Sequence, residues 1–267
     1  MIFSIAFPNI DPVLISFGPL AIRWYSLAYM AGLLLGWWLL KRLVVRSPEA
    51  ADANAADDFI VWATLGIILG GRLGYVLFYN FSFYLENPLA ILTVWKGGMS
   101  FHGGLGGVIV ATIIFCKKRG IDLWAFADRV AVVSPLGLFF GRIANFINGE
   151  LFGRVSDVPW AIVFPRGGPA PRHPSQLYEA GLEGALLFGV LWWLAGRESM
   201  RARSGLLTGV FMAGYGLART VVELFRQPDA HLGLLSFGAT MGQWLSAPLI
   251  VFGLYLIFRA NQRSHQT

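Results

Sequence analysis

The stretch FGPLAIRWYSLAYMAGLLLGWWLLKR, residues 17–42, decides the fold class. Between Phe17 and Leu40 a single formal charge, Arg23, interrupts the apolar sequence, and Lys41 and Arg42 close it. A helix crosses the hydrocarbon core of a bilayer with about 20 mainly apolar residues, so this stretch reads as a membrane span. The pattern recurs near 58–80, 98–116, 123–146, 175–195, 205–225 and 237–258. It predicts an all-α integral membrane protein of about seven transmembrane helices. A stretch at 88–95 is apolar but too short to span, and is expected to lie along the interface or to re-enter.

Composition points the same way. The 267 residues are 56% hydrophobic and 13% charged, with a mean hydropathy of +0.60. A soluble domain carries about 25% charged residues, so too few remain here to clothe a globule in water. No long polar linker divides the spans, and one polytopic domain over 1–267 is expected. The net charge of +6 and pI near 9.7 do not imply a nucleic-acid partner, because positive charge in a membrane protein reports topology. The lone Cys116 excludes an internal disulfide and a multi-thiol zinc site, and reads as a small core or lipid-facing residue. Residues 1–11 hold no Lys or Arg, so the basic start of a cleaved signal peptide is missing and the first span is expected to be retained.

The basic residues orient the bundle. Lys41, Arg42 and Arg46 follow the first span, and Lys117, Lys118 and Arg119 the third. Arg197, Arg201 and Arg203 follow the fifth, and Arg259 and Arg263 the seventh. The opposite loops hold only Lys96, Arg154, Arg166, Arg172 and Arg226. The positive-inside rule then puts the N-terminus outside and the C-terminus in the cytoplasm. The longest loop, near 150–174, is external and rich in Gly and Pro; it either covers a site or connects two spans. Glycines four apart (Gly32 with Gly36, Gly66 with Gly70, Gly137 with Gly141, Gly205 with Gly209) predict close helix crossings.

A charge deep in a membrane costs about 2.5–3.5 kcal/mol on insertion scales, so each one calls for a reason. On this topology Arg23, Tyr25, Arg72, His102, Arg142, Asn145, Asn148, Glu150, His173, Gln176, Tyr178 and Glu179 fall in the outer half. Tyr215, Arg219, Glu223 and Arg226 join them, spaced along one face of the sixth span. The inner half holds only Asp128 and Arg129, read as an interfacial pair or a snorkelling arginine. Glu183, one turn below Glu179, belongs either to packing or to the site. Arg219 and Glu223 form either a self-contained ion pair or an oriented ligand-binding arginine; the two are compatible. Sorting by depth argues for an anion site in the outer leaflet, because scattered structural polarity would not sort itself.

Two inward arginines suit a phosphate, which the guanidinium fork matches with paired hydrogen bonds. His102 stands in a glycine-broken stretch, and an imidazole exchanges protons near neutral pH. No GxSxG, HExxH, P-loop or dinucleotide fingerprint occurs. Any nucleophile therefore arrives with a substrate, and no metal or cofactor is expected.

Four stretches carry a resemblance. They are Gly141-Arg-Ile-Ala-Asn-Phe-Ile-Asn-Gly-Glu-Leu-Phe-Gly153, Trp95-Lys-Gly-Gly-Met-Ser-Phe-His-Gly-Gly104, Arg172-His-Pro-Ser-Gln-Leu-Tyr-Glu179 and Phe225-Arg-Gln-Pro-Asp-Ala230. Together they resemble the bacterial prolipoprotein diacylglyceryl transferases, from Asp11 to the last span, with a 154–171 loop shorter than in some relatives. The resemblance implies an enzyme of the bacterial cytoplasmic (inner) membrane. Its substrates would be phosphatidylglycerol and the lipobox cysteine of a prolipoprotein signal peptide, and its products a thioether and glycerol phosphate. It implies His102, Arg142 and Arg219 as catalytic residues, with His102 as base or as hydrogen-bond donor. Arg142, Tyr25, Gly98, Gly103, Asn145, Glu150, Gly153, Tyr215 and Glu223 would bind substrate, with Glu150 and Glu223 as arginine partners. The competing reading is a phospholipid transporter or flippase with an outer-leaflet head-group site. Transporters place their sites near the midplane, which the outer clustering disfavours.

Overall fold

A computed structural model describes the chain except residues 1–4, 9, 19, 48–50, 53, 229–232, 234, 236–237 and 264–267. Asp229 and Ala230, which close the last of the four motifs, thus lie outside the described residues. In chain order the elements are β1 (Ile5–Ala6), β2 (Val13–Phe17), β3 (Leu20–Arg23), α1 (Trp24–Val45), α2 (Ala55–Phe78) and α3 (Phe81–Glu86). Two 3₁₀ turns, Pro88–Leu92 and Val94–Lys96, lead to α4 (Phe101–Arg119) and α5 (Leu123–Ile147). After β4 (Ile162–Val163), α6 (Ser175–Glu179) runs through a π-helical turn (Ala180–Leu186) into α7 (Leu187–Ala195). Then come α8 (Glu198–Arg201), α9 (Leu206–Val222) and α10 (Met241–Arg263).

Six of these helical segments are long and apolar enough to span a bilayer, and α9 is a shorter apolar helix. No more than 33% of the most apolar stretch of each of these six is buried, which leaves apolar surface of the kind that lipid covers. The molecule is an all-helical integral membrane protein with two small sheets that the periodicity did not predict. One correction concerns the first span, which begins at Trp24 and not at residue 17. Residues 13–23 instead form an antiparallel hairpin, Val13 paired with Arg23 and Phe17 with Leu20. Gly18 turns it with φ +57°, a conformation that glycine adopts without steric cost. The 88–95 stretch forms short 3₁₀ turns in place of a span, as its length requires.

The chain divides into two compact units, residues 40–127 and the remainder. Within the 40–127 unit, α2 and α4 lie antiparallel in very close contact. A Cβ added at Gly66 would sit 2.7 Å from the Gly107 carbonyl oxygen, and one at Gly74 would sit 2.7 Å from the Gly103 Cα. The predicted Gly66/Gly70 crossing is therefore present, and its partners are the glycines of α4. Phe59, Phe115 and Phe126 pack around one another with ring centroids 5.0–5.4 Å apart, and Cys116 is buried beside them as a small core residue. Arg72 is buried too. Its Nε donates to the Ile91 carbonyl (2.8 Å), Nη1 to Gly97 (2.6 Å) and Gly98 (3.2 Å), and Nη2 to Ala90 (2.5 Å) and Thr93 (3.5 Å). All five guanidinium N–H groups thus serve carbonyls of the 90–98 segment, and Arg72 is a clamp on that segment.

In the other unit, α9 and α10 pack antiparallel through Gly209 against the Gly253 carbonyl and Gly216 against Ile250. Gly32 of α1 abuts Gly137 of α5, where an added Cβ would meet the Gly137 Cα at 3.2 Å. Gly141 makes no such crossing, and Gly205 has a role at a helix end. A Cβ at Gly141 meets nothing within 4 Å, and Gly205 is the left-handed N-cap of α9. That N-cap has no side chain of its own, so Asp128 of α5 takes its place. The Asp128 carboxylate accepts from Gly205 N (2.9 Å), Thr208 N (2.7 Å) and the Thr208 hydroxyl (2.7 Å). Asp128 and Arg129 are both buried, so neither snorkels; Arg129 donates to the Arg201 carbonyl at 3.4 Å. The 150–174 segment is a folded cap. Its β4 pairs with β1, and Phe164 is enclosed by the rings of Phe7, Phe146 and Phe152 at 5.3–6.1 Å.

Candidate functional site

Three arginines and three glutamates meet in the unit that holds α5, α6 and α9. Glu179, at the end of α6, is the hub. Its Oε1 accepts from Arg219 Nη1 (3.0 Å) and Arg226 Nη1 (2.9 Å), and its Oε2 lies 2.7 Å from Arg142 Nε. That last contact is off the N–H axis, so it is an ion pair and not a hydrogen bond. Glu223 pairs with Arg219 Nη2 at 2.5 Å and stands 3.9 Å from Arg226 Nε. Glu183, within the π-helical turn, lies 3.6 Å from Arg142 Nη2 and 3.7 Å from Arg219 Nη1.

Local structure explains the convergence. Arg219, Glu223 and Arg226 follow one another down one face of α9 and past its end, as the i, i+4, i+7 spacing dictates. The π-helical turn hydrogen-bonds five residues back, which widens the helix at Glu183. Gly184 lets that turn lie against Phe139 of α5; a Cβ there would come within 2.6 Å of the Phe139 Cβ. Burial then divides the six side chains into a back and a front. Glu179 and Glu183 have no exposed surface, while Arg142, Arg219 and Arg226 keep 16%, 13% and 11% of their side chains accessible. The carboxylates are thus the more enclosed and the guanidinium side chains the more accessible, and guanidinium groups are the donors that pair with anions.

The other expected residues fall into place around this cluster or apart from it. Tyr25 opens α1, bonds the Tyr29 hydroxyl at 3.3 Å, and feels the charges of Arg142 and Glu150. Tyr215 lies within the electrostatic reach of Arg142, Arg219, Glu179 and Glu183. Glu150 is not an arginine partner. The chain leaves α5 with positive φ at Gly149 and Leu151, which folds Glu150 back so that Asn145 (2.9 Å) and Asn148 (3.1 Å) both donate to its Oε1. Gly153 bridges to Arg226, and a Cβ there would come 2.5 Å from the Phe225 carbonyl. With Arg154 Nε donating to the Arg226 carbonyl at 2.9 Å, the cap fixes the segment carrying the third arginine.

His102, Gly98 and Gly103 belong to the 40–127 unit. His102 is exposed in the first turn of α4, where the Ser100 hydroxyl caps the Gly103 N–H at 3.2 Å. Gly103 is required by the α2–α4 crossing, and Gly98, at φ +80°, lies under Tyr75 and Arg72. Packing therefore accounts for both glycines. Two residues at the centre of the cluster, Glu179 and Arg226, stand out in the sequence by polarity and are not among the site residues that the resemblance implies. Their signal was spacing: Glu179 lies four residues before Glu183, and Arg226 continues the face of Arg219. Beside them opens an apolar groove of about 560 Å³, lined by Val158, Trp160, His173, Tyr178, Gly181, Leu182, Val222 and Phe225. Tyr178 links its polar edge, accepting from Trp160 Nε1 (2.6 Å) and meeting His173 Nδ1 (3.1 Å), and burial pushes the His173 imidazole below its ordinary titration range.

Comparison with known proteins bears on what this arrangement does. A family model described as prolipoprotein diacylglyceryl transferase matches residues 12–259. The phosphatidylglycerol–prolipoprotein diacylglyceryl transferase of Paramagnetospirillum magneticum is 62% identical over 264 residues, covering 98% of each chain. Its counterpart in Azospirillum brasilense is 57% identical over 97% of this chain and 98% of its own. That of Rhodospirillum rubrum is also 57% identical, over 98% of this chain and 96% of its own.

The hub makes a stability prediction. Glu179→Ala leaves three guanidinium groups without their shared carboxylate, and removing one partner of a buried ion pair costs about 3–5 kcal/mol. The same substitution at the exposed Glu198 should change little. Thermal unfolding of the two variants in detergent measures the difference; equal midpoints would show that Glu179 is not the hub.

Proposed function

The chain belongs to the prolipoprotein diacylglyceryl transferase family, and on that premise we propose how its own residues carry out the transfer. It is a membrane transferase that moves the diacylglyceryl group of phosphatidylglycerol to a prolipoprotein, the first step of bacterial lipoprotein maturation. The acceptor in this reading is the lipobox cysteine of the signal peptide, and the setting is the bacterial cytoplasmic membrane. The observation that supports a phospholipid head group is the guanidinium face of Arg142, Arg219 and Arg226, held from behind by buried glutamates.

The thiol sulfur attacks the glycerol carbon that bears the phosphate. The carbon–oxygen bond breaks, and glycerol phosphate departs with the electron pair. A free thiol has a pKa of about 8.5, so a base must assist it near neutral pH. His102, exposed at the start of α4, is that base in our reading. Charge grows on the departing phosphate, and preorganised donors aimed at growing charge stabilise it without reorganisation. Arg142 and Arg219 supply such donors, with Glu223 and Glu179 fixing their planes. Asn145, held by Glu150, offers a neutral donor for the glycerol head, and Tyr25 and Tyr215 border the same cluster.

The uneven distribution of Lys and Arg supports seven crossings with the N-terminus outside, α9 being the shortest, and the arginine cluster toward the outer leaflet.

Transfer from phosphatidylglycerol to a lipobox peptide, measured by appearance of the thioether, tests the arginine roles. Arg142→Lys and Arg219→Lys should each lose about 100-fold in turnover, because a point charge does not replace a fork. Near-normal turnover in either would remove the bidentate argument. For His102→Gln the expectation is slow transfer near pH 7 that partly recovers as rising pH ionises the thiol unaided; wild-type rates at neutral pH would exclude His102 as base. Orientation has its own check. A reporter joined after Arg263 should read cytoplasmic, and an external reading would overturn both the topology and the outer-leaflet site.

A further inference from the structure

Within the arginine cluster one carboxylate is unlike the others. Glu183 has no exposed surface, and neither of its oxygens has a hydrogen-bond donor. Its nearest cationic nitrogens, on Arg142 and Arg219, stand off at 3.6 and 3.7 Å. Glu179 and Glu223, by contrast, hold guanidinium groups at 3.0 Å or less. The groups facing Glu183 are Arg142 from α5, Arg219 and Tyr215 from α9, Arg226 beyond it, and Glu179 on its own helix.

Formal charge sharpens the contrast. Among the described residues these three guanidinium groups and three carboxylates are together neutral when all six are ionised. A phosphodiester is a monoanion and brings one uncompensated negative charge into a place largely shut off from water, where unpaired charge is costly. It also competes for the N–H groups of Arg142 and Arg219 that are all Glu183 has. The arginines do not give up their protons, so among these six side chains a proton on a carboxylate is what restores neutrality. Glu183 loses least by accepting one, since it has no hydrogen bond to surrender.

We propose that head-group binding at this site is coupled to proton uptake by Glu183. As the lipid phosphodiester engages Arg142 and Arg219, one proton from water joins the Glu183 carboxylate. No bond to carbon or phosphorus changes in this step, and the site with its ligand is again neutral. The inference rests on the reading that these arginines bind the phosphate. Its signature is a pH dependence that the ligand cannot cause, because a phosphodiester stays a monoanion throughout the neutral range. The sign follows from linkage. With the proton bound only in the complex, affinity is greatest at low pH and falls by up to about tenfold per pH unit once free Glu183 is ionised.

Calorimetric titration of the purified full chain in detergent with dihexanoyl phosphatidylglycerol decides it, run from about pH 6 to 9 in two buffers of different ionisation heat. The wild type should show buffer-dependent heat that approaches one proton per lipid, together with the fall in affinity. Glu183→Gln should bind with buffer-independent heat and an affinity flat in pH. Binding by the wild type without proton uptake at any pH overturns the coupling, and so does an unchanged pH slope in Glu183→Gln. The wild-type experiment stands by itself should the variant fail to fold. Arg142→Lys separates the two levels: wild-type affinity there overturns the head-group reading itself, whereas weakened binding with no proton uptake in the wild type overturns only the coupling.

Discussion

A buried carboxylate that serves three guanidinium groups at once is the constraint from which the rest of the site follows. Glu179 draws Arg142 from α5, and Arg219 and Arg226 from α9 and its end, to one place. Each of these charges would be prohibitive alone in a membrane interior, and together they are affordable because every one has an opposite neighbour. Cancellation fixes positions as well as energies. The arginines cannot turn away to solvent without stranding a carboxylate behind them, so their planes are set before any ligand arrives. Such preorganisation is what the proposed head-group site requires.

Much of the architecture was legible because lipid imposes a simple rule on sequence: length and apolarity of a segment decide whether it crosses. The rule fails where backbone polar groups are satisfied in another way. Residues 17–23 are apolar enough to be counted with the first span, yet they belong to a hairpin that closes at Gly18, and hydropathy does not record that choice. The two small sheets escaped for the same reason. Glycine spacing located real helix crossings at Gly32, Gly66, Gly70 and Gly209, but the spacing is blind to which neighbour approaches. Gly205 shares the spacing and serves a different end, as a left-handed cap.

Polar residues were legible by kind but not by duty. Arg219 and Glu223 do stand together, as the one-face spacing on α9 required, and Arg142 of α5 joins them through Glu179. Arg72, equally cationic and more deeply buried, spends all its donors on the carbonyls of the 90–98 segment and has none left for a ligand. Nothing in a one-dimensional pattern separates those fates; the count of donors already used does. Glu150 illustrates the reverse. Its expected arginine proved to be a pair of asparagines, because positive-φ residues on either side of it, Gly149 and Leu151, fold it inward. Glu179 and Arg226 had the spacing of site residues, and only the convergence of α6 with α9 reveals that one holds the other.

The cap that Asp128 places on α9 also works as a datum. Gly205 and Thr208 at one end of that helix are tied to a buried side chain of α5, and Arg219 and Glu223 ride at the other end. Neither helix can slip along its axis without breaking the tie. The separation between Arg142 on α5 and Arg219 on α9 is therefore gauged from a point several turns away, at the far end of α9. A lesion at Asp128 would blur the alignment of two guanidinium planes it never touches, and it would look like damage to the site itself.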